Sequence, residues 1–278
     1  MTADAIFADT MAEMTWEEVD AAARRGAIAL WAFGVIEQHG PHLPAGTDVY
    51  LPSAMLRRVR ALLVDAGVEA VIVPPYYWGV NVASGGFPAS VKVRPDVMVE
   101  LMADVFASLA GDGFRAVHCV TGHGDAHHNR TIHRAVTRSR AETGIDISFV
   151  AEEGLIKRLG IALTDPAVTP VSAAHDSGLG FPDVHAGKGE TGAMLAVAPH
   201  LVRADKLAAL PAVAFSAEDL AEWRQGFDVA RRKTPLGYVG APAKAEPGEG
   251  GRDMEAAARA VAQAIAARHA AGGPPHRV

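Results

Sequence analysis

One cysteine, Cys119, is all the chain has, which excludes an intrachain disulfide and any zinc site built on paired thiolates. Nowhere do about 18 apolar residues run without a charge or a Pro/Gly break, so no membrane span is expected. Basic residues are not in excess: 26 Lys and Arg stand against 32 Asp and Glu, a net charge of −6. That balance argues against a nucleic-acid partner or an anionic membrane surface. The N-terminus, MTADAIFADTMAEMTWEE, lacks the basic start and the uninterrupted apolar stretch of a secretory signal, and the expected location is cytoplasmic. Aromatics are scarce at 6%, yet 49% apolar and 21% charged residues describe a packed domain rather than a disordered chain. Histidine is what the sequence does have, with 12, and their placement carries the functional argument.

Apolar runs of strand length alternate with stretches of helical period, the pattern of an α/β fold with a parallel sheet covered by helices. Strands are predicted at 27–33, 68–73, 115–120 and 145–150, the second stopped by Pro74-Pro75. A helix is predicted over 49–66, with Asp48 as its cap and Pro52 tolerated in its first turn. Another starts near Pro95, with Val97, Leu101, Val105 and Leu109 on its apolar face. Further helices are predicted at 127–143, 190–198 and 254–271. Residues 237–251 are rich in Gly and Pro and read as a surface loop, and the terminal GGPPHRV as frayed. No repeat and no long linker interrupts the chain, so 1–278 is read as a single domain.

The polar clusters fall just after predicted strands, where ligand sites of open α/β sheets form. Glu37, His39 and Asp48 follow the first strand, His123 and Asp125 the third, and His185 and Glu190 come later. Glu, His and Asp together are a ligand set for divalent transition metals. Glu37 and His39 are two apart, as are His123 and Asp125, so each pair can point to one side of an extended turn. A carboxylate at Asp48 is placed to bridge two ions about 3.5–4 Å apart, although taken alone Asp48 reads as a helix N-cap. His42, His118, His127, His128, His133 and His175 read individually as hydrogen-bonded or packed residues. Cys119, inside an apolar strand, reads as a buried inert thiol rather than a nucleophile. Gly40, Gly122, Gly124 and Gly187 would let the backbone approach ions and substrate closely.

GVIEQHGPHLPAGTD (34–48) resembles the N-terminal signature of the creatininase, or creatinine amidohydrolase, family. GFPASV (86–91), GFRAVHCVTGHGD (113–125), HAGKGETGAML (185–195) and GYVGAP (237–242) resemble further family segments in the same order. The resemblance implies a three-layer α/β/α sandwich, two divalent ions (zinc or manganese, with iron a further candidate), hydrolysis of a small cyclic or linear amide, and a homohexamer. Carried over by position, it implies that Glu37, Asp48 and His123 hold one ion and His39, the bridging Asp48 and Asp125 the second. Glu190 would lie beside them as ligand or catalytic carboxylate, and His185 would be the general acid/base.

The chain departs from the family pattern at several positions. Thr121 stands where Asn is usual, Asp125 where creatininases carry Glu, and Val184 where creatininase has a Glu before the catalytic His. Asn81 and Ser84 replace a Ser and a His on what is expected to be the substrate side of the pocket. These changes predict a substrate other than creatinine. Two other readings remain at this stage: a metal-assisted isomerase or lyase acting on a carbonyl compound, and a metal-binding member that has lost catalysis.

Overall fold

The computed structural model describes residues 6–172 and 177–272. Strands β1 (Ile28–Phe33), β2 (Ala70–Tyr76), β3 (Ala116–Thr121), β4 (Asp146–Glu152) and β5 (Val168–Val171) pair in parallel, in the order β2-β1-β3-β4-β5. Their near-continuous apolar sequences are those of strands buried on both faces. Ala29, Trp31, Phe33, Val117 and Cys119 point into one helical layer, made by α1 (Trp16–Arg24), α3 (Pro95–Gly111) and α4 (Ala126–Thr143). Ile28, Leu30, Ala32, Ala116 and Val120 point into the other, made by α2 (Thr47–Asp65) and α10 (Pro247–Ala271). The architecture is therefore an α/β sheet sandwiched between helices. Shorter helices α5 (Glu153–Arg158), α6 (Lys188–Val197), α7 (Ala204–Leu207), α8 (Ala217–Trp223) and α9 (Phe227–Lys233) complete it. Among the described residues no helix is long and apolar enough to cross a membrane.

Several local expectations are corrected. Pro74-Pro75 does not stop β2, which runs on to Tyr76. β2 is an edge strand and the register shifts between Trp31 and Phe33 opposite the prolines, a place where a missing N–H breaks no ladder. On α3 the buried residues are Met98, Val99, Met102, Ala103, Phe106 and Leu109, while Val97 and Leu101 are exposed. β5 was not anticipated, because VTPV is four residues long and contains Pro. The final helix begins at Pro247 rather than 254, so the Gly-rich stretch before it is partly helical. The cause is packing: a Cβ at Gly250 would stand 2.1 Å from the carbonyl carbon of Gly192 in α6, so only glycine lets these helices meet. Of the frayed terminus, 273–278 lie outside the described residues, as does His175.

The chain leaves β1 toward β2 on one side and returns to place β3 on the other. Helices α2 and α4, each following one of the two central strands, consequently cover opposite faces. The crevice between the carboxyl ends of β1 and β3 is thus the topological switch point of the sheet, where open α/β folds bind ligands.

Candidate metal centre

Asp48 does not cap α2. The cap position is Gly46, and Asp48 lies inside the first turn. That turn is pressed against the strand ends: a Cβ at Gly34 would come 2.1 Å from the Asp48 carbonyl oxygen, and one at Gly122 would come 2.5 Å from it. The close approach carries the Asp48 side chain into the switch-point crevice, where it meets Glu37 and His39 from the loop after β1 and His123 from the loop after β3. Around Gly124, by contrast, there is open space.

Asp48 Oδ1 is 3.0 Å from His39 Nε2, and its Oδ2 is 2.9 Å from His123 Nδ1. Glu37 Oε1 lies 3.1 Å from His123 Nδ1, 3.6 Å from His185 Nδ1 and 4.0 Å from His39 Nε2. Glu190, in the first turn of α6, brings Oε2 to 3.7 Å from His39 Nε2. The donors group as Glu37–Asp48–His123, His39–Asp48–Glu190 and Glu37–His39–His185. Asp48 belongs to the first two groups. His39 Nδ1 lies 3.1 Å from the Glu37 carbonyl, a contact that directs Nε2 to the cluster. Ala186, held at φ +46°, donates its N–H to Glu190 Oε2 at 2.6 Å.

Burial and mutual proximity set the charges. Burial opposes a proton on His39, but Asp48, Glu190 and Glu37 overcome it and raise the imidazole to about 10. His123 is raised in the same way, against burial, by Glu37 and Asp48. Burial pushes the Asp48 and Glu37 carboxyls up, yet the imidazoles beside them hold both below the ordinary range. Burial lifts Glu190 to about 7, with Asp48 and Glu37 adding to the effect and His39 opposing it. His185 is lowered to about 4, chiefly by burial.

Divalent cations suit this cluster. Its donors are carboxylates and imidazoles, all buried except Glu190. One of its buried atoms, Asp48 Oδ2, has no hydrogen-bond partner: the short approach of His123 Nδ1 lacks the alignment of a bond.

Asp125 is the member of the expected ligand set that the fold does not bring in. Its Oδ1 accepts from the N–H groups of His127 and His128 as the cap of α4, and its Oδ2 accepts from Val82 and Ala83. Both oxygens are committed to backbone. Asn81 and Ser84 are both buried, and Ser84 Oγ bonds Glu37 Oε2. His42 bonds Thr191, His118 bonds Ser148 and His133 pairs with Asp165, as packed histidines should, while His127 is exposed. His128 is buried with neither ring nitrogen hydrogen-bonded. Burial pushes the Cys119 thiol up, away from the reactive thiolate. Sequence reasoning missed Gln38, whose carbonyl lies 2.9 Å from His185 Nε2 and whose side chain spans Gly40 N and Gly237 O. Its place between Glu37 and His39 was the available signal.

The family model for creatininase, described as creatinine amidohydrolase, matches residues 12–265. The creatinine amidohydrolase of Pseudomonas putida is 27% identical over 269 residues, 91% of this chain and 94% of that one. The mycofactocin precursor peptide peptidase of Mycobacterium ulcerans is 29% identical over 223 residues, 79% of this chain and 76% of that one. Among solved structures, a creatininase with Mn superposes with a TM-score of 0.69 at 23% identity, covering 96% of this chain and 99% of that one. A mutant creatininase of Zn–Zn type gives 0.67 at 23% identity, covering 99% and 100%.

Proposed function

The chain belongs to the creatininase family, and on that premise we propose that it is a metal-dependent amidohydrolase acting on a small cyclic or linear amide. The observation that carries the reading is Asp48, whose two oxygens each serve a different donor group. Glu37, Asp48 and His123 would hold one ion, and His39, Asp48 and Glu190 the other. Glu190 thus takes the place expected for Asp125. When bound, such ions supply Lewis acidity to an amide carbonyl and acidify water. His185 supplies the proton transfer. His185 Nε2 lies 2.9 Å from the Gln38 carbonyl and 3.0 Å from the Gln38 amide nitrogen; because the carbonyl can only accept, we assign the proton to Nε2, which leaves the lone pair on Nδ1, on the side of Glu37. Burial keeps that nitrogen neutral, so it can take a proton from attacking water and deliver it to the departing amine.

Val184 places an exposed apolar side chain next to His185 where creatininase has a carboxylate, so creatinine is expected to be a poor substrate. The peptidase relative makes short peptides part of the same proposal. The test is metal analysis together with a substrate panel. Protein supplied with zinc or manganese should bind about two ions per chain. It should hydrolyse a neutral amide, a lactam or a short peptide better than creatinine, with oxygen-18 from water entering the product carboxylate. Loss of label incorporation with retained turnover would identify an isomerase or lyase instead. Metal binding with no turnover on the panel would identify a member without catalysis. His185→Ala should lower turnover by about 10²–10⁴-fold with metal content unchanged.

A further inference from the structure

On the Oε2 side of Glu37 three further polar groups are buried with it: Asn81, Ser84 and Ser90. Ser84 Oγ is in hydrogen-bond contact with Glu37 Oε2, 2.9 Å from Asn81 Oδ1 and 3.0 Å from Ser90 Oγ. A hydroxyl has one proton to give, and these neighbours compete for it. The Glu37 oxygen accepts from Ser84 in the shortest of these contacts, so the Ser84 proton goes to Oε2. Asn81 must then present its amide nitrogen, not its oxygen, to Ser84. Turning the amide about satisfies Asn81 Nδ2, otherwise buried without a partner. Ser90, which accepts from the N–H of Gln38 at 3.2 Å, is left to donate to the second lone pair of Ser84. A directed chain results, from Gln38 N–H through Ser90 and Ser84 to Glu37, with Asn81 as the second donor to Ser84.

We propose that Ser84 is a positioning residue that occupies Glu37 Oε2 and so makes Glu37 a one-oxygen ligand, with only Oε1 available to a metal ion. The inference rests on the metal-centre reading above. The chain has its own solution here, since Ser84 stands where related sequences often carry His. A carboxylate with both oxygens free can chelate one ion and raise its coordination number. One whose second oxygen is held by a hydroxyl leaves that position open.

Cobalt(II) titration with chelator competition, followed by visible absorption, tests this on the full chain without measuring turnover. Ser84→Ala should weaken binding at the Glu37 site by about 10- to 100-fold, the usual cost of removing a group that orients a ligand. It should also dim the cobalt absorption, as coordination number rises when Oε2 is released. Ser84→Thr, which keeps the hydroxyl, should restore affinity and spectrum together. Where the alanine variant does not fold, Ser84→Cys, similar in size with a weak donor, should move both readouts in the alanine direction. Wild-type affinity and spectrum in either Ser84→Ala or Ser84→Cys would overturn the proposal. Failure of the wild-type protein to bind cobalt at all would instead overturn the metal-centre reading.

Discussion

Asp146, at the start of β4, and Asp48, in the first turn of α2, are carboxylates among cations at opposite ends of the same sheet. Asp146 is met by Arg140 and by the guanidinium of Arg268, with Nε at 2.8 Å and Nη2 at 2.7 Å. Arg268 also donates to the Val168 and Pro166 carbonyls, at 3.0 and 2.7 Å. Among the described residues, the ionic contacts of Asp48, Glu37 and Glu190 are with imidazoles. A guanidinium neither gives up its proton nor has a lone pair, so the Asp146 cluster is a closed structural tie. An imidazole can lose its proton and become a ligand, so the Asp48 cluster can exchange protons for metal ions. The histidines of β3 repeat the lesson. His118, inside the strand, is pushed down to about 4 chiefly by burial. His123, just past its end and also buried, is raised because Glu37 and Asp48 outweigh burial.

The sharpest way to break the comparison is Asp48→Ala, which removes the carboxylate common to both donor groups. Divalent-ion affinity should fall by more than about 100-fold, beyond the range for groups that only orient ligands, and turnover with it. Chelator competition measures the first and the substrate panel the second. Affinity near that of wild type would place the ions elsewhere.

Acidity tests the exchange directly. His39 and His123 must each lose a proton to bind metal, so affinity should rise with pH by about tenfold per unit for each proton released, until that imidazole is already neutral. Calorimetry in buffers of different ionisation enthalpy counts those protons. In the metal-free protein the sign reverses. The raised His39 contributes stability that is complete below its ordinary value of 6.5 and lost as pH rises through about 10. Thermal melts from pH 6 to 10 should therefore show a falling Tm without metal and a flatter one with it.

Arg268→Ala should act on the other cluster alone, leaving Asp146 and two backbone carbonyls short of a donor. Denaturant unfolding should show a loss of about 2 kcal/mol, with cobalt affinity unchanged. A change in affinity would mean that the two ends of the sheet are coupled. The smallest effect belongs to Ser148→Ala. It leaves His118 Nδ1 without its 2.8 Å partner and should cost about 1 kcal/mol, with no change in metal binding.

The chain order of strands and helices was legible because buried parallel strands are continuous apolar runs and helices carry a 3.6-residue period. What failed was decided by neighbours in space. Nothing local tells a Gly-rich loop from the start of α10; the close approach of Gly192 to Gly250 does. The exposed Val97 and Leu101 fit an apolar period as well as Met98, Met102 and Phe106 do, and only the position of the sheet selects between them.

For the site, the residue types and their spacing in E-Q-H-G-P-H and G-H-G-D pointed to Glu37, His39, His123 and Asp125, with Asp48 after the first, because few side chains can ligate a divalent ion; the roles expected of His185 and Glu190 came only with the family resemblance. Sequence could not say which carboxylates reach the centre. Asp125 has the right chemistry, yet its oxygens are taken by four backbone N–H groups at the start of α4 and in the loop after β2. Asp48, which taken alone reads as a cap, points into the crevice because Gly34 and Gly122 let α2 settle on the strand ends. Ligand identity is a property of the side chain and can be read from the chain. Ligand role depends on which hydrogen bonds reach each oxygen first, and only the tertiary structure supplies those.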